Sequence, residues 1–270
     1  MYHPEIYYHE NSFHSFYGKS VSKEDPRLKR FDYNPILTLS ERRTLNMKYE
    51  FLKFENMQYM ITYPEGYKAG EVYPVLFYIH GAGSRGKDPE RLKGSIVYEK
   101  VISTRDFPFV VVSPLCHENT WFDMFETLKR FILHIGTSSF ADKRRLYVTG
   151  PSMGGYTAWQ LGMSMPEVFA AIAPVCGGGM YWNAARLVNV PVWAFHGEKD
   201  EVVKPDESVK MVNAVSKCGG NAKLTLYPDV DHAAWVPAYT GEEIYEWFLT
   251  HENKNENSII DLYNNSKLYG

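Results

Sequence analysis

The sequence predicts an α/β fold: a mostly parallel central sheet with helices on both faces. Three observations carry the prediction. Val75-Leu-Phe-Tyr-Ile79, Phe109-Val-Val-Val-Ser113 and Phe169-Ala-Ala-Ile-Ala-Pro-Val175 are continuous apolar runs of strand length, the pattern of strands buried on both faces. Helix-length runs stand between them, as at Trp121–His134, where Phe122, Phe125, Leu128, Ile132 and Ile135 fall near one face. Glycines punctuate several strand ends, at His80-Gly, Cys176-Gly-Gly-Gly179 and His196-Gly197. Strands alternating with helices imply right-handed crossovers and a covered parallel sheet.

Tyr49–Phe54 and Gln58–Tyr63, the second closed by Pro64-Glu-Gly66, read as an antiparallel start to the sheet. Pro89–Lys100 reads as a short helix. Leu146–Thr149 is a strand, and a helix follows from Tyr156 to about Met165. Pro191–Phe195 and Lys223–Tyr227 complete the sheet, with a helix at Pro205–Lys217 between them that stops at Gly219-Gly220. Gly241–His251 forms a last helix with Ile244, Trp247 and Phe248 inward. This sets one domain over 46–252, an N-terminal arm over 1–45 and a polar C-terminal tail over 253–270.

A chain of 270 residues, 44% apolar and 23% charged, carries a full core. Its net charge of −3 gives no reason to expect nucleic acid or an anionic membrane as partner. Cys116, Cys176 and Cys218 are odd in number and widely spaced, so reduced thiols are expected and a zinc site is not. His3, His9 and His14 match no metal-ligand spacing and read as solvated. No secretory leader and no apolar stretch of membrane-spanning length is visible, which makes a cytoplasmic location the simplest expectation.

Gly150-Pro-Ser-Met-Gly154 lies between a strand and a helix and fits G-x-S-x-G, a nucleophile elbow with Ser152 at its apex. A serine hydroxyl needs a base to take its proton and an acid to orient that base. His232 follows the last strand and is the candidate base; His80 and His196 are expected to pack beneath the site and bond its loops. Asp200 follows the strand that ends at His196 and is the candidate acid, ahead of Asp229, Asp231, Glu198 and Asp206. The main-chain amides of Met153 and Ala82 are the candidate donors to an oxyanion. The His80-Gly81 turn, Ser152, Asp200 and His232 each follow a different strand, so a parallel sheet brings them to one edge.

His80-Gly-Ala-Gly-Ser-Arg-Gly86, Gly150-Pro-Ser-Met-Gly-Gly155, Phe195-His-Gly-Glu-Lys-Asp-Glu-Val-Val203 and Tyr227-Pro-Asp-Val-Asp-His-Ala-Ala-Trp235 together resemble the carboxylesterase and "predicted peptidase" branch of the α/β-hydrolases. That branch is similar to feruloyl (cinnamoyl) and polyhydroxybutyrate-depolymerase-like esterases. The resemblance runs from about Tyr59 to Phe248; Pro151 and the arm are its departures. It implies Ser152 as nucleophile, Asp200 as acid, His232 as base and Ala82 and Met153 as the oxyanion pair. It also implies a cofactor-independent hydrolysis of acetyl or hydroxycinnamoyl esters, including carbohydrate-linked ones. A serine peptidase or a non-catalytic homologue are the alternatives. The Gly179–Pro191 link is too short for a helical lid, so no large cap is expected. Trp121, Tyr181, Trp182 and Trp235 are candidates for an aromatic wall at an open site.

Overall fold

The computed structural model describes residues 49–254 and 258–268. The arm, with His3, His9 and His14, lies outside the described residues. Eight strands form one sheet: β1 (Tyr49–Phe54), β2 (Met57–Thr62), β3 (Tyr73–Tyr78), β4 (Val110–Pro114), β5 (Ala141–Pro151), β6 (Ala171–Val175), β7 (Val192–Gly197) and β8 (Ala222–Tyr227). Their spatial order is β1-β2-β4-β3-β5-β6-β7-β8. The β1–β2 and β2–β4 pairs are antiparallel, and every pair from β4 to β8 is parallel.

Alternation along the central strands divides the core in two. Val75, Phe77 and Ile79 of the β3 segment point to one face with Val110, Val112, Leu146 and Val148. Helices α2 (Phe125–Gly136), α3 (Met153–Ser164) and α4 (Asp206–Lys217) cover that face through Leu128, Phe131, Trp159 and Met211. Leu76, Tyr78, Val111 and Tyr147 point the other way. They meet α1 (Ile96–Ser103), α5 (Trp235–Thr240) and α6 (Glu243–Leu249) through Val97, Val101, Tyr239 and Phe248. Full burial of such side chains contributes about 1.5–3 kcal/mol each, which is why both faces read as unbroken apolar runs.

The structure differs from the expected elements at several places. β5 starts at Ala141, because Asp142-Lys-Arg-Arg145 lies where the strand is only partly covered. The Trp121–His134 run divides into a 3-10 turn, Trp121–Met124, and α2. Phe122 thereby leaves the apolar stripe and is 50% exposed. The run Pro89–Lys100 divides likewise, into a 3-10 turn over Pro89–Gly94 and α1, with Ser95 capping the amide of Tyr98. The expected helix at Gly241–His251 is present as α6, and a short helix not expected from the sequence, α5, precedes it and ends at Gly241.

Residues after 252 do not form a polar tail throughout. Helix α7 (Ser258–Leu268) packs on α2, with Ile259 buried to 1% in the core cluster. A methyl group on Gly136, at the end of α2, would come 2.3 Å from Ile259 Cδ1, so the missing side chain is the socket for the isoleucine. Ile259→Ala should therefore destabilise the protein by roughly 2–4 kcal/mol. Urea unfolding measures it; a change under 0.5 kcal/mol, the order of an exposed-site substitution, would show that α7 adds nothing to the core.

Candidate functional site

The strand-to-helix turn at Ser152 is built by close approach. β5 ends at Pro151, Ser152 takes φ 55° and ψ −119°, and α3 begins at Met153. That conformation is unfavourable for a residue with a Cβ, by about 1–3 kcal/mol, and is held from outside. The Ser152 N–H donates to Val175 O at 2.9 Å. A Cβ on Gly154 would lie 1.8 Å from Ile79 O, and one on Gly150 2.2 Å from the same oxygen. Only glycine fits either place, so the motif's two glycines let α3 press against the end of β3.

Asp200 follows β7 and His232 follows β8. His232 Nδ1 donates to Asp200 Oδ2 at 2.7 Å, and Ser152 Oγ lies 2.9 Å from His232 Nε2. Asp200 is 1% exposed, and its Oδ1 accepts the Val202 and Val203 amides at 2.9 Å each. His196 Nε2 also lies 3.2 Å from Asp200 Oδ2, so four donors surround the carboxylate; the carboxylate fixes the His232 ring, and its Nε2 is left as an acceptor facing Ser152 Oγ. The competing acids are engaged elsewhere or face solvent. Asp229 pairs with Lys199 at 2.7 Å, and Asp231 caps the amide of Ala233.

Ala82 and Met153 each open a helical turn, so their amides have no partner within it. The two segments touch: a Cβ on Gly81 would lie 3.6 Å from Ser152 Cβ. His80 supports this loop as expected. Its Nε2 accepts the Cys116 amide at 3.0 Å and its Nδ1 donates to Gly81 O at 2.7 Å. Burial lowers its pKa to about 4, so the ring is neutral. His196 is wholly buried, 2.7 Å from Ser208 Oγ and 2.9 Å from Val203 O, and burial lowers its pKa too.

The four aromatic candidates separate. Trp121 is not part of a wall: it is fully buried, and its Nε1 donates to His80 O at 2.9 Å from beneath the loop. Trp235 stands edge-on to His232 with ring centroids 5.5 Å apart. Tyr181 and Trp182 are 54% and 72% exposed on the 3-10 turn Tyr181–Leu187, which occupies the β6–β7 link where a cap would insert. Beside them a cavity of about 710 Å³ is bounded by Phe122, Phe125, Tyr156, Gln160 and Met180. Tyr156 and Gln160 lie four and eight residues beyond Ser152, on its side of α3.

Other contributors carry no motif. Cys176 Sγ lies 3.3 Å from the Ser152 amide. Thr149 Oγ1 contacts Tyr239 Oη at 2.8 Å beneath the elbow. A tyrosine on a six-residue helix has no periodicity to announce it; for Cys176 the only signal was its place before three glycines. Among the described residues Cys176, Asp200 and His232 form the one trio with metal-capable atoms within 4.8 Å. Two of the three already bond each other, and burial raises the Cys176 pKa, keeping the thiol protonated.

The dienelactone hydrolase family model matches residues 115–251. A Yersinia pestis protein named "Putative carboxymethylenebutenolidase" is 25% identical over 137 residues, 44% of this chain and 51% of the relative. The chain therefore spans about half the length of the curated relatives it matches. Among solved structures, a thermostable esterase is similar at 28% identity and a TM-score of 0.65, over 77% of this chain and 63% of that one. A Staphylococcus aureus S-formylglutathione hydrolase is similar in fold at 15% identity and a TM-score of 0.59, over 75% and 96%. The mostly parallel sheet, with no large cap among the described residues, is the α/β-hydrolase fold.

The buried His80 links this site to pH. Between its ordinary 6.5 and about 4, the unfolded chain binds a proton that the folded chain refuses. Its contribution to stability is complete above about 6.5 and falls as the pH drops through that window. Thermal unfolding at pH 7 and pH 4.5 should show a fall in Tm that is smaller in His80→Gln. Equal falls in both proteins would contradict it.

Proposed function

The chain belongs to the dienelactone hydrolase family, and on that footing we propose that it hydrolyses carboxylic esters through an acyl-Ser152 intermediate. The observation that carries the reading is the unbroken relay from Ser152 Oγ to His232 Nε2 at 2.9 Å and from His232 Nδ1 to Asp200 Oδ2 at 2.7 Å. His232 takes the serine proton as Oγ attacks the ester carbonyl. The developing oxyanion is met by the amides of Ala82 and Met153, with the positive end of α3 behind it. His232 then gives its proton to the leaving alcohol. Water enters, His232 deprotonates it, and the acyl group leaves as the acid.

The proposed substrates are acetyl or hydroxycinnamoyl esters on a carbohydrate. The 710 Å³ cavity beside α3 has room for an aromatic acyl group, and Tyr181 and Trp182 offer exposed rings for a sugar to stack on. The three free thiols, one of them exposed at Cys218, favour a reducing compartment and so the cytoplasm. Among the described residues no helix is long and apolar enough to cross a membrane.

Ser152→Ala should lower kcat on p-nitrophenyl acetate by about 10³-fold or more while the far-UV spectrum stays unchanged. Turnover at the parent rate would refute the assignment. Within an acetyl, butyryl and feruloyl ester panel, Trp182→Ala should raise KM most for carbohydrate-linked members; an equal effect on simple alkyl esters would remove the sugar from the proposal.

A further inference from the structure

Five consecutive carbonyls, from residue 80 to residue 84, each face a side-chain donor. Trp121 Nε1 donates to His80 O at 2.9 Å, and His80 Nδ1 donates to Gly81 O at 2.7 Å. Arg85 Nε donates to Ala82 O at 2.9 Å. Arg91 Nη2 donates to Gly83 O at 2.9 Å, and Arg91 Nε to Ser84 O at 3.4 Å. The first two donors are buried, and the proposed elbow chemistry lies against them. The two arginines come from outside, and among the described residues neither has a carboxylate partner. Arg85 also donates to Asn119 O, tying the turn to the loop after β4.

A peptide group is planar, so holding the C=O of one residue holds the N–H of the next. His80 therefore sets the plane that carries the Ala82 amide. Arg85 sets the following plane, between Ala82 and Gly83, and Arg91 sets the two after it. Ala82 is fixed only when the planes on both its sides are fixed. The carbonyls must also point away from the place where negative charge develops, and two guanidinium groups offset their partial charge. Arg91 can cross the loop because Gly86, at φ 153°, has no side chain; a Cβ there would lie 3.1 Å from Arg91 Cδ.

We infer that Arg85 and Arg91 are positioning residues that clamp the Ala82–Ser84 turn, so that the Ala82 amide faces a substrate oxyanion before substrate arrives. The inference rests on the proposed reading of Ser152 as nucleophile and Ala82 as oxyanion donor. Removing an oxyanion donor outright lowers kcat by roughly 10²–10³-fold. Loosening one should lower it less, about 10–100-fold, with KM nearly constant because the amide acts on the transition state.

The experiment compares Arg85→Ala, Arg91→Ala, Arg91→Lys and Ser152→Ala in the full chain on p-nitrophenyl acetate. Rates are referred to the fraction of Ser152 that titrates to completion with a fluorophosphonate probe, which removes any loss of folded protein. The expected result is the stated fall in kcat for both alanine variants, with KM changed less than about threefold. Arg91→Lys should fall between, and methylguanidinium should restore part of the Arg91→Ala rate. Unchanged kcat, a rise in KM at constant kcat, or a loss that methylguanidinium recovers in neither alanine variant would overturn the clamp. Full turnover by Ser152→Ala, or absence of labelling in the parent protein, would overturn the underlying reading instead.

Discussion

Two glycines bring α3 within reach of one carbonyl oxygen, that of Ile79, and much of the site follows from that contact. With Gly150 and Gly154 lacking side chains, the helix can start directly against the end of β3. Ser152 is then left at the apex with φ 55°, a geometry that its own residue type disfavours. The same contact brings the loop after β3 alongside the serine, so Gly81 and Ser152 become neighbours although 71 positions separate them. Neither half of the site can be placed without the other.

The parallel sheet supplies the remaining partners. β7 and β8 run in the same direction as β5, and their following loops deliver Asp200 and His232 to the edge where Ser152 stands. Burial increases from the ring to its supports. His232 is partly buried, Asp200 fully so, and below Asp200 the wholly buried His196 bonds the loop that carries the Val203 amide. The groups proposed to move protons lie nearer solvent, and those that orient them lie in the low-dielectric interior, where hydrogen bonds are harder to break.

Much of this was legible in the sequence for a physical reason. Strands buried on both faces must be apolar throughout, and close backbone approaches must be glycine, so β3, β4, the end of β5 and the elbow announce themselves. The polar partners of the relay were legible through their positions after strand ends. What remained hidden depends on short or composite elements. α5 is six residues with Pro237 inside, too short for any period to show, yet it carries Tyr239 under the elbow. Trp121 looked like a wall residue because a sequence does not say whether an aromatic ring at a strand end turns outward or beneath a loop. Arg85 and Arg91 look like ordinary surface charge until the carbonyls they meet are seen. The helix at Ser258–Leu268 is mostly polar in composition although Ile259 is buried to 1%, so composition alone reads as a tail.

That last helix separates two kinds of boundary. The family match ends at residue 251, whereas the face over α2 is closed by a side chain at residue 259. The segment that the family model matches and the segment that folds are therefore different lengths of chain. Cut at residue 251, this chain would leave the α2 face open at the place where Ile259 now fills it.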